Sequence, residues 1–188
     1  MGDISQVEEG FYSSDPDSTS FVAAEIIMDE SPWRTLTESI PKFYQLIETA
    51  YCKAAPDASV AAEVSIMFQL DEAVHHLNRD YRHKDKATNV LSFNSYERED
   101  LDAVYTQAKT GGPPVLLGDI FIAYETCKRE AEEQSKSLLD HTMHLVVHGM
   151  LHLLGHDHIE DKEAEIMEAL ERDILTCYGI DDPYKGER

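Results

Sequence analysis

Apolar residues along this 188-residue chain recur with two periods, near two and near 3.6, and the points where one gives way to the other predict its elements. VAAEIIMDE (22–30) predicts a first strand. In ESIPKFYQLIETAYCKAA (38–55), Phe43, Leu46, Ile47, Ala50 and Tyr51 fall on one face of a helix whose first turn holds Pro41. EVSIMFQL (63–70) alternates as a second strand, DEAVHHLNRDY (71–81) predicts a short helix with Asp71 near its N-cap, and NVLSFN (89–94) predicts a third strand. The polar stretch YEREDLDAVYTQAKTGGPP (96–114) ends in turn residues and predicts a loop. GDIFIAYE (118–125) predicts a fourth strand, and helical patterns follow at 126–136, 139–154 and 161–178. Few strands among more helices, without regular strand–helix–strand repetition, predict a small α+β fold in a single domain over 21–188. Residues 1–20 show no such periodicity and hold no Lys or Arg; with the turn signal at Asp15, Pro16 and Asp17 they predict a mobile acidic tail.

Charge changes this picture more than composition does. The formal charge is −21, which opposes binding to a polyanion such as RNA. Fields between exposed charges are screened over ~8 Å at physiological salt, so the distribution decides more than the sum. One segment stands against the background: RDYRHKDK (79–86) holds Arg79, Arg82, Lys84 and Lys86, four of the sixteen Lys and Arg residues, together with His83. No apolar run approaches the ~20 residues that span a bilayer, and MGDISQVEEGFYSS lacks the regions of a signal peptide, so a cytoplasmic protein without a membrane partner is expected. Cys52, Cys127 and Cys177 form no CxxC pair, which predicts reduced thiols and no cysteine zinc site.

The candidate chemistry lies in HGMLHLLGHDH (148–158). On a helix advancing about 100° per residue, His148 and His152 stand about 40° apart and can face one metal. Gly155 offers the left-handed conformation that ends a helix and turns His158 back toward them. Three imidazoles and one open position are the composition of a catalytic zinc site, in which the ion lowers the pKa of a bound water to ~7. The spacing HxxxHxxGxxH is shared with metzincin proteases, which carry a glutamate after the first histidine as general base; here that position is Gly149. His141 and His144 lie on the same helical face, either supporting the site, lining its cleft, or as solvated polar positions on its approach. Asp157 either orients a ligand imidazole or caps the next helix.

These blocks together resemble the YbeY family of bacterial metal-dependent endoribonucleases. The resemblance rests on HLVVHGMLHLLGHDH followed by IEDKEAEIMEALERDIL, on LNRDYRHKDKATNVLSF (77–93), and on LGDIFIA (117–123) between them, and covers roughly residues 22–184. It implies a small mixed sheet of about four strands flanked by helices, with the metal site at the end of a long helix. It also implies single-strand-specific cleavage of ribosomal RNA, in maturation of the 16S 3′ end and in ribosome quality control. One zinc per chain would be held by His148, His152 and His158, and Arg82 would line the cleft. A guanidinium there holds phosphate oxygens by paired hydrogen bonds and offsets transition-state charge, while His144 is the candidate proton carrier. Ser92 reads as structural. Small-subunit ribosomal proteins and a ribosome-assembly GTPase are the implied partners, and the acidic surface suits basic ribosomal proteins. Two departures stand out: His156 where the family has tyrosine, and Asn94 where proline is common; neither falls on a metal ligand. The competing readings are a zinc metalloprotease or amidohydrolase, disfavoured by Gly149, and a non-catalytic ribosome-assembly factor with a mainly structural zinc.

Overall fold

The alternation in AEVSIMFQ buries Ala62, Val64, Ile66 and Phe68, and the sheet is organised around that strand. The computed structural model describes residues 21–28 and 31–185; the tail expected at 1–20 lies outside the described residues, as do positions 29 and 30 of the first predicted strand. Strands β1 (Val22–Ile27), β2 (Ala62–Gln69), β3 (Val90–Asn94) and β4 (Val115–Ala123) form one mixed sheet in the order β1-β2-β4-β3. The first two neighbours pair in parallel, Ile26 opposite Ile66 and Ile66 opposite Ile120, whereas β3 runs antiparallel to β4 with Ser92 opposite Ile120. A 3-10 segment, Ser31–Ser39, drops Trp33 into the core, where its indole donates to the Gln69 carbonyl at 2.8 Å.

Within the described part of the chain, six α-helices surround the sheet: α1 (Ile40–Ala54), α2 (Asp71–Arg82), α3 (Leu101–Lys109), α4 (Tyr124–Glu133), α5 (Leu138–Leu153) and α6 (Asp161–Thr176). Among the described residues none is long and apolar enough to cross a membrane. The two sheet faces are covered differently. Leu91, Phe93, Phe121 and Ala123 point toward Val74 and Leu77 of α2, while the alternating positions Ser92 and Ile120 meet α5. Helix α5 starts at Ser137, whose hydroxyl accepts from the Asp140 amide at 3.0 Å, and runs through the middle of the protein. Its contact with the sheet depends on Gly149: a Cβ there would lie 2.9 Å from Ile120 Cγ2 and 3.1 Å from Ser92 Oγ. The Ser92 hydroxyl points at the Gly149 carbonyl, 3.4 Å away.

The stretch read as a polar loop at 96–114 is not one. It holds a short 3-10 turn, Arg98–Asp100, and then α3, because Leu101 and Tyr105, one helical turn apart, are both buried. This element supports the site: Leu101 packs beneath Gly155, and the Arg98 guanidinium pairs with Glu163 of α6 at 2.7 Å. Strand β4 likewise begins at Val115, three residues before the predicted start.

Candidate metal centre

From His141 to Leu153 helix α5 is buried except for one stripe, His144, His148 and His152, whose side chains are partly open to solvent. Two of these meet directly: His148 Nε2 and His152 Nε2 are 3.1 Å apart. The helix then closes with paired hydrogen bonds, from the Gly155 amide to the His152 carbonyl at 3.0 Å and from the His156 amide to the Leu151 carbonyl at 2.9 Å. Gly155 takes the left-handed conformation this closure needs, with φ +87°. The chain reverses there and returns His158, whose ring lies 5.3 Å from His148 and 5.1 Å from His152, centre to centre. One ligand-capable nitrogen from each of the three falls within 4.8 Å of the others.

The orientation of two of these rings is fixed by what their far nitrogens touch. His148 Nδ1 is 2.8 Å from Glu171 Oε1, and Glu171 is fully buried on α6. Burial alone would raise the Glu171 pKa, but the His144 and His148 imidazoles outweigh it and hold the carboxyl at about 2. An ionised carboxylate only accepts, so Nδ1 of His148 donates to it, and Nε2 is the atom the ring would offer to a metal. His152 Nδ1 faces the His156 carbonyl at 3.1 Å, and a carbonyl also only accepts, so His152 Nδ1 donates as well. Burial, then the neighbouring His148 and His158, lowers the His152 pKa to about 4, which keeps it neutral at pH 7. At 3.1 Å the two Nε2 atoms share either a proton or a metal cation, since two bare nitrogens that close would repel. A third imidazole beside the pair makes the donor set fit one divalent ion of the zinc type.

A family model described as "Endoribonuclease YbeY" matches residues 28–179. The chain belongs to the endoribonuclease YbeY family. A YbeY protein of Erythrobacter litoralis is 48% identical over 160 residues, covering 85% of this chain and 92% of that relative. One from Parvibaculum lavamentivorans is 46% identical over 170 residues, 90% of this chain and 89% of the other. Paramagnetospirillum magneticum has one 54% identical over 133 residues, 71% and 76% of the two chains. The solution structure of a Thermotoga maritima protein covers 88% of this chain and all of its own with a TM-score of 0.51 at 22% identity, a likeness of fold.

Against the YbeY pattern, the remaining sequence-derived residues separate. His144 lies beside the three histidines, its Nε2 3.5 Å from Glu171 Oε2 and its ring 6.4 Å from that of His148. His141 is neither open to solvent nor at the cleft: it is buried, with Nε2 3.0 Å from Glu130 Oε2, and that carboxylate also accepts from Asn89 at 2.9 Å. Asp157 accepts from the His158 amide at 2.7 Å, and α6 begins beyond it with Glu160 as its N-cap, so Asp157 caps no helix. Arg82, at the end of α2, donates from Nη2 to the Ser92 carbonyl at 3.0 Å; among the described residues no hydrogen bond joins it to the three histidines. The link is indirect, since Ser92 faces Gly149, the residue after His148. Of the two departures from the family pattern, Asn94 touches His152 through its side chain, whereas the His156 ring reaches the Ala54 carbonyl and only its backbone, which any residue supplies, faces His152. Asn94 Nδ2 donates to the His152 carbonyl at 2.8 Å, and the His156 carbonyl accepts from His152 Nδ1 at 3.1 Å.

Sequence reasoning missed Glu171 altogether. It is one of several acids on α6, and nothing local distinguishes it except its position on the helix face shared with Met167, Ile174 and Leu175, all buried. A carboxylate on an otherwise apolar buried stripe was the available signal.

Proposed function

We propose that this chain is a zinc-dependent endoribonuclease that cleaves single-stranded ribosomal RNA, in 16S 3′-end maturation and in ribosome quality control, in the cytoplasm. The observation that carries the reading is the convergence of His148, His152 and His158 in a YbeY-family chain, with the rings of His148 and His152 oriented by contacts at their Nδ1 atoms. Zinc bound by three such imidazoles supplies activation of water near neutral pH without a carboxylate base.

The chain's own residues would do the rest. Arg82 uses one N–H on Ser92, which leaves further donors of its exposed guanidinium for phosphate oxygens and for the charge that gathers on them. His144, whose ring is partly exposed but whose two nitrogens are buried, is the proposed proton carrier, and it would have to turn toward the cleft to serve the leaving or attacking oxygen. The acidic surface of a chain carrying −21 suits docking on basic small-subunit proteins, with an assembly GTPase as the further partner. The protease reading loses support at Gly149, where a glutamate side chain would have to start within 2.9 Å of Ile120.

The test is cleavage of precursor ribosomal RNA by zinc-loaded protein beside a His148→Ala, His152→Ala variant, with end-group analysis of the products. Loss of cleavage in the variant supports the nuclease. Undiminished maturation by that variant would favour an assembly factor with a structural zinc.

A further inference from the structure

Beyond α6 the chain returns to the back of the histidine cluster. Pro183 is buried and its carbonyl accepts from Lys136 Nζ at 3.0 Å, while the Tyr184 amide donates to Asp182 Oδ1 at 3.0 Å. This turn delivers the Tyr184 side chain to two members of the site. Its hydroxyl donates to Glu171 Oε2, and its ring packs edge-on against His144 with centroids 5.7 Å apart. The two oxygens of Glu171 are thereby divided: Oε1 accepts from His148 Nδ1 and Oε2 from the tyrosine hydroxyl. The other neighbour of Oε2, His144 Nε2, stands at 3.5 Å, too far for a good N–H···O bond. Without the phenol, a fully buried carboxylate would hold one firm hydrogen bond instead of two and could rotate away from His148.

We propose that Tyr184 is a positioning residue for the metal centre: through Glu171 it fixes the orientation of His148, so the segment 182–185 is part of the site's outer framework. This rests on the metal-binding reading of the three histidines but not on RNA cleavage. In a general metal site, loss of such a partner costs ~10- to 100-fold in affinity. Glu171→Gln should therefore weaken zinc binding by ~10- to 100-fold, and Tyr184→Phe, which keeps the ring on His144, by ~3- to 10-fold.

The experiment is zinc competition against a chromophoric chelator, with the melting temperature of metal-free protein measured in parallel and cobalt substituted for zinc to read ligand geometry. A weakened zinc affinity in Tyr184→Phe, with altered cobalt absorption bands, is the expected result. The cobalt spectrum samples only folded, loaded protein, so it remains decisive if a variant is destabilised. A Tyr184→Phe protein with wild-type zinc affinity and an unchanged cobalt spectrum would overturn the role of Tyr184 while leaving the metal reading in place. Wild-type protein that binds no zinc would remove the metal reading, and this inference with it.

Discussion

The two halves of the proposed site are built in opposite ways. At the histidine cluster, His148 and His152 are each tied by a different partner, Glu171 of α6 and the His156 carbonyl, and both lie on a helix that from His141 to Leu153 is otherwise buried except at His144. At the basic segment, Arg82 is exposed and donates to one backbone carbonyl; Arg79 is spent on Asp80 at 2.7 Å, and Asp85 faces His75 at 2.8 Å. The difference separates what must be fixed from what must adapt. Imidazoles converge on one ion only where rings are held, as those of His148 and His152 are, whereas an RNA backbone arrives in several conformations and is met by side chains that keep free donors.

The largest effect should come from disturbing the fixed half at its base. Gly149→Glu would place an unpaired carboxylate between α5 and the sheet, at a point where even a Cβ meets Ile120 at 2.9 Å. An uncompensated buried charge costs about 3–5 kcal/mol, a large share of the roughly 5–15 kcal/mol that holds a domain together. The expected outcome is loss of soluble folded protein, read by circular dichroism, and not a gain of protease activity. A well-folded Gly149→Glu chain would show that the helix stands off the sheet.

Next in size, His148→Ala with His152→Ala should abolish stoichiometric zinc by elemental analysis and lower RNA cleavage by more than about 10³-fold, while the far-ultraviolet spectrum is retained. Retained zinc at one per chain would move the metal elsewhere. The adaptable half should behave differently. Arg82→Lys keeps the charge and loses the fork, so cleavage should fall by ~10²- to 10³-fold at unchanged zinc content and melting temperature. Wild-type rates in that variant would assign Arg82 to tying down the edge of β3 and nothing more.

The same contrast governs what the sequence discloses. The histidine convergence is legible because it is local: a four-residue step on a helix, a glycine that ends it, and a return within six residues. The main sheet strands were legible from alternation, as in Val64, Ile66 and Phe68. What was hidden is whatever depends on contact across the fold. Glu171 sits among Asp161, Glu163, Glu165, Glu168 and Asp173, and only the packing of α6 on α5 selects it. Helix α3 was hidden because two buried side chains, Leu101 and Tyr105, are too few to outweigh a polar stretch ending in Gly-Gly-Pro-Pro. His141 misled in the opposite direction: it shares the histidine face by angle, but Glu130 and the burial of that turn place it in the core.

Strand β3 serves both halves and offers the finest test of their separation. Its Ser92 carbonyl receives Arg82, and its Asn94 side chain donates to the carbonyl of His152 at 2.8 Å. That carbonyl already accepts from the Gly155 amide in the helix closure, so Asn94 adds a second donor to an acceptor that is satisfied without it. It also acts on the backbone of His152, while the ring is oriented independently by the His156 carbonyl. Asn94→Ala should therefore cost only about 1 kcal/mol, or ~2–4 °C in melting temperature for a chain of this size, because a net intramolecular hydrogen bond contributes little once water can replace it. Zinc affinity should fall by less than about 10-fold, below the loss typical of a side chain that orients a ligand ring directly. A loss as large as that of Glu171→Gln would mean that the ring of His152 is held through its backbone, and that the fixed half extends onto the sheet edge where Arg82 is anchored.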